Sequence, residues 1–202
     1  MSASSIPFNP AQTTNFAGLF LVQAQGLVQG TFMDDPAKRY ELAGGILKSS
    51  ETLPMWGGVA IEEIINSTGF GVQGNDIARA ADQAHWTGFS VFNQNGAAIS
   101  SPQSPVPLTL LGGQVNFFRK GSGARIVVAC DTSLIDLAGG IITPQVSWDY
   151  TNQKLVAYDS VAALPVEVLS VQTSQAMTVS YNSGTGAATW VRTTNACAVI
   201  VI

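Results

Sequence analysis

The chain has one histidine, His85, between Ala84 and Trp86. A two-histidine metal site therefore cannot be built within a single copy. As a general base His85 would need a positioned nucleophile, and no nucleophile motif accompanies it, so it reads as a polar residue at the end of a helix. Glu62 and Glu63 are adjacent. Neighbours on a helix or a strand point different ways, so the two cannot flank one bond as paired acid and base, and they are expected on a solvated face. Asp34-Asp35 and the Asp131/Asp136 pair supply oxygens without the alternating ligands of a calcium loop. Gly121-Ser122-Gly123 follows Arg119-Lys120 but lacks the G-x-x-x-x-G-K-[ST] phosphate loop, and reads as a hairpin turn. Cys130 and Cys197 sit in the apolar runs IVVAC and ACAVIVI. That setting predicts free, buried thiols, with one disulfide as the alternative. Trp56, Trp86, Trp148 and Trp190 could line a sugar platform or serve as core or interface anchors. No catalytic, cofactor or metal residue is assigned from these patterns, and the expectation is a protein that is not an enzyme.

Composition narrows the class. The 202 residues suit one large β domain, and 46% are hydrophobic while only 11% are charged, against roughly 25% in ordinary soluble domains. Either neutral polar residues carry the surface or much of it is covered by partner chains, where charge is depleted. A net charge of −4 with nine basic residues, clustered only at Lys38-Arg39 and Arg119-Lys120, argues against nucleic acid. Met1 to Pro10 has no basic n-region, and no apolar run approaches the ~18 residues of a spanning helix, so neither export nor a membrane is expected.

The elements that would position these residues read as strands. Residues 1–18, MSASSIPFNPAQTTNFAG, form an expected extended arm in which Pro7 and Pro10 oppose helix and central strand, and Ile6, Phe8 and Phe16 are the candidate anchors to a partner. Residues 19–202 are expected as the β-rich domain, with a small additional lobe around 33–86. LPMWGGVAIEEIINSTGFG offers a short helix with Ile61, Ile64 and Ile65 on one face, and GNDIARAADQAHW a better one, with Ile77, Ala80, Ala81 and Ala84 at helical spacing behind an Asn75 or Asp76 cap. Beyond these the turn signals recur every 8 to 12 residues or so, as in a sandwich or barrel. Asn95-Gly96 marks one hairpin, QVNFFRKGSGARIVVACD holds two strands, and VSWDYTNQKLVAYD is another hairpin. ALPVEVLSV is a further strand. AMTVSYNSGTGAATWVRTTNACAVIVI reads as a three-strand meander. Ile126 to Cys130 is apolar without alternation, as in a strand covered on both faces. The chain ends in Ile200, Val201 and Ile202, which must be buried in the sheet or against a neighbour; Ile200 and Ile202 are candidate partner contacts. The fold class is thus mainly β, an antiparallel sandwich or barrel with one or two short helices and an extended N-terminal arm.

The segments TGFSVFNQ, SPQSPVPL and NFFRKGSGARIVVACD, between Thr87 and Asp131, resemble stretches of tailed-bacteriophage capsid cement (decoration) proteins. VSWDYTNQKLV, ALPVEVL and YNSGTGAATW continue the resemblance, and LPMWGGVAIEEI extends it upstream to about Leu53. These are strand and turn signatures, with no active-site motif among them. The resemblance implies a virion protein, made in the host bacterial cytoplasm, that coats the outer surface of the head. Its partner would be the major capsid protein, whose subunits it bridges, and it would self-associate as a dimer or trimer. Some small decoration proteins have far shorter chains, so this one is expected to carry an additional lobe. The other readings are a tail or baseplate component and a host-surface carbohydrate-binding module.

Overall fold

The computed structural model describes residues 27–33, 36–66, 74–92, 106–173, 176–191 and 196–202. The expected arm with Ile6, Phe8 and Phe16, the Asp34-Asp35 pair and the Asn95-Gly96 turn lie outside the described residues. The fold is mainly β. In chain order the strands are β1 (Phe32–Met33), β2 (Ala43–Leu47), β3 (Ala60–Ile64), β4 (Asn75–Arg79), β5 (Gly88–Val91), β6 (Gln114–Arg119) and β7 (Arg125–Cys130). β8 (Val146–Asp149), β9 (Lys154–Ala157), β10 (Glu167–Gln172), β11 (Thr178–Asn182), β12 (Ala187–Val191) and β13 (Ala196–Val201) follow. Helical structure among the described residues is confined to 3₁₀ turns at Pro36–Glu41 and Thr132–Leu137. No helix among those residues is long and apolar enough to cross a membrane.

Five strands close a barrel in the order β2-β4-β3-β5-β6. Side chains alternate across a strand, so Ile61, Ile77, Val115 and Phe117 fill its interior with Leu47 and Met55, while Phe89, Val91 and Phe118 face outward into the largest core cluster. The helix expected over 75–86 is not formed. Instead β4 pairs with β2 and β3, putting Ile77 into the barrel and Ala78 under cover on the other side. Pairing on both edges outweighs the helical propensity of the alanines, which is worth only tenths of a kcal/mol per residue. Ile61 and Ile64 likewise lie in strand β3, not in a helix, and Ile65 just beyond its end is 86% exposed.

The second sheet runs β10-β13-β7-β9-β8, with β1 also on β7. Its middle strands are covered on both faces. Ile126, Val128 and Cys130 meet the outside of the barrel in the main cluster, whereas Val127 packs with Leu27, Ala176, Cys197 and Val199 on the opposite face. That double burial is the reason Ile126 to Cys130 shows no alternation. The Gly121–Gly123 turn does not close a hairpin, since β6 and β7 belong to different sheets. With φ of +84° at Gly121 and +70° at Gly123, the turn passes the chain from barrel to sheet. The C-terminal meander is also corrected: β11 and β12 form a separate hairpin, and β13 inserts between β7 and β10.

Barrel and sheet are joined by polar as well as apolar contacts. Gln153, buried and held at φ +54°, accepts with Oε1 from Ala60 N at 2.9 Å and Trp148 Nε1 at 3.3 Å, and donates from Nε2 to Tyr150 O at 2.7 Å. One side chain thus ties β3 to the β8–β9 hairpin. Residues 27–33 stitch all three sheets. Gly30 N donates to Val127 O at 2.7 Å, Phe92 N donates to Gly30 O at 2.9 Å, and Gln29 N donates to Met177 O at 2.9 Å.

Candidate functional site

β2, β4 and β5 run one way round the barrel and β3 and β6 the other, so particular polar residues collect at each mouth. At one mouth Arg119 grips Glu63 in a two-pronged bond, Nε to Oε2 and Nη2 to Oε1 at 2.7 Å each, and Asn75 Nδ2 donates to Glu63 Oε1 at 2.8 Å. The hydrogen bonds from Arg119 hold the Glu63 carboxyl below its ordinary pKa. Glu63 is therefore a barrel plug with a side chain only 12% exposed, not the solvated residue expected from Glu62-Glu63. At the other mouth Arg79 donates to Glu51 Oε2 at 3.3 Å, Leu53 O at 3.1 Å and Pro54 O at 2.6 Å. Its guanidinium lies 4.8 Å from the Trp56 ring centre, and Trp56 stacks on Tyr181 of β11 at 5.8 Å. Burial lowers the Arg79 pKa and Glu51 offsets part of that shift.

The remaining residues singled out for chemistry are dispersed. His85 Nδ1 lies 2.7 Å from Asp82 Oδ1 on the exposed surface. Asp131 accepts from Lys154 Nζ at 2.9 Å and from Ser133 N at 3.0 Å, and the Lys154 bond first among these holds its pKa at about 2. Lys154, Asp131 and Cys130 border a cleft of about 240 Å³. The amine is already paired, and burial pushes the Cys130 thiol to about 12, so little thiolate exists at neutral pH. Asp136 stands in the Thr132–Leu137 turn. Among the described residues no group of three or more His, Cys, Asp or Glu is placed to hold a metal ion. Trp86 and Trp148 flank Phe89 in the main core, with centroids 5.6 and 4.8 Å away, and Trp190 meets Phe92 edge-on. The four tryptophans do not form one platform.

Cys130 and Cys197 are free and buried. Cys130 registers with Ala196 and Cys197 with Ala129, so the thiols project from opposite faces of the sheet, Cys130 into the main cluster and Cys197 into the one behind it. Direct bonding would need a one-residue slip of β13. Ile200 and Ile202 are 0% and 6% exposed, inside this chain's own main cluster. Of the two ways to cover the apolar chain end, the sheet is the one realised, which leaves those side chains off the outer surface.

What the surface does present is apolar side chains at loop tips. Leu110 and Leu111, 47% and 51% exposed, stand beside an open groove of about 410 Å³ whose walls include Pro54, Leu108, Tyr181 and Gly186. Ile141 and Ile142, 76% and 50% exposed, form a second pair after the Thr132–Leu137 turn. Neither pair stands out on periodicity alone. The available signal was an apolar pair next to Gly-Gly, LLGG and GGII, where a turn is ordinarily polar.

Comparison of the chain with family profiles, with curated proteins and with solved structures finds no match.

Proposed function

We propose that this chain is a virion structural protein that binds the outer surface of a phage head and stabilises the lattice by bridging major capsid protein subunits. The observation that carries the reading is the pairing of a barrel and sheet with a common core and apolar side chains left in solvent at loop tips, Leu110-Leu111 and Ile141-Ile142. Single exposed apolar residues are ordinary; adjacent pairs beside a groove, on a chain with 11% charged residues, suit a surface meant to be covered. The resemblance of the segments from Leu53 onward points the same way. In this reading the N-terminal arm, with Ile6, Phe8 and Phe16, adds contacts to the capsid or to a neighbouring copy, and the protein works as a dimer or trimer. No cofactor, nucleic acid or membrane is called for.

The test is to mix the purified full-length chain with heads lacking a decoration protein, sediment them, and reconstruct the particles. Copies arrayed over the head exterior at every capsomer of one symmetry class are expected. Copies confined to a tail structure, or binding to a glycan array with none to heads, would replace this reading with the tail-component or carbohydrate-module alternative.

A further inference from the structure

We draw no further inference here: the strongest candidate, the open apolar groove between the Leu110-Leu111 loop tip and Tyr181 of β11, belongs to the surface already proposed for capsid attachment, and nothing in the structure shows what else covers it.

Discussion

Asp82 accepts twice from one residue, from His85 N at 3.0 Å and at 2.7 Å from His85 Nδ1, whose proton the short contact requires. The side-chain bond to Asp82 comes first in raising the His85 pKa, with the charge of Glu62 adding to it, and the same bond lowers the pKa of Asp82. The sign follows from linkage. A histidine whose folded pKa is raised stabilises the fold fully below its unfolded value, near 6.5, and loses that contribution as pH rises through the folded value. Asp82 supplies the opposite limit, its contribution fading as pH falls through its lowered pKa. The pair is exposed, so the effect is read best from the ring itself. In an NMR titration His85 should titrate above 6.5, and Asp82→Asn should bring it back toward that value without reaching it, because Glu62 remains. A wild-type ring that titrates at or below 6.5 would mean that the pair does not form in solution. His85 was legible as a polar residue, but the helix end expected for it is a turn between β4 and β5. The cysteines were legible as buried thiols, because the composition of the local run governs their burial. Glu63 was not, since its partner Arg119 is 56 residues away and only barrel closure brings the two together.

Residues 27–33 show how an element with little regular structure can hold several sheets in place. Gly30 has φ +83°, and a Cβ built there would stand 2.5 Å from Gly57 Cα and 2.8 Å from the Phe92 ring. Both neighbours are fixed, Gly57 by the tight backbone around it and Phe92 by its bond to Gly30 O and its contact with Trp190. Gly30→Ala should therefore cost at least about 2 kcal/mol, from the left-handed backbone plus displacement of the barrel from β7. Urea unfolding measures it, and a loss below about 0.5 kcal/mol would show that the close approach is not kept. Gly112, also at positive φ but with open space around its missing Cβ, is the natural control and should lose only the backbone part, about 1 kcal/mol. At this scale the local strands were legible from alternation and from unbroken apolar runs. The pairings were not, because β6 and β7 read as a hairpin on spacing alone while each is satisfied in a different sheet. The helix expected over 75–86 failed for a related reason: Ala-rich spacing reports local propensity, and β4 is decided by the two neighbours it pairs with.

Across the whole molecule, barrel and second sheet draw on one core, in which Phe89 and Phe118 of the barrel meet Ile126, Val128 and Ile200 of the sheet. Loops anchored at both ends to such a frame present their tips in a fixed relation, which suits bridging of separate subunits better than a flexible tether would. If the head surface covers Leu110 and Leu111, these two side chains lose the half of their area still in solvent. That is worth roughly 1 kcal/mol each from the usual value for a buried leucine. Leu110→Asp with Leu111→Asp removes this term and places two charges in a covered apolar contact. Affinity for heads should fall roughly 30-fold or more, since 1.4 kcal/mol is tenfold. Because both side chains are about half exposed in the free chain, its unfolding should change little, by about 0.5 kcal/mol or less per site. Ile141→Asp with Ile142→Asp repeats the measurement at the other loop tip, and the two results together tell which tip faces the capsid. Full head occupancy by both double variants, at unchanged stability, would leave the exposed pairs without a role in attachment and would move the capsid-binding surface elsewhere on the chain.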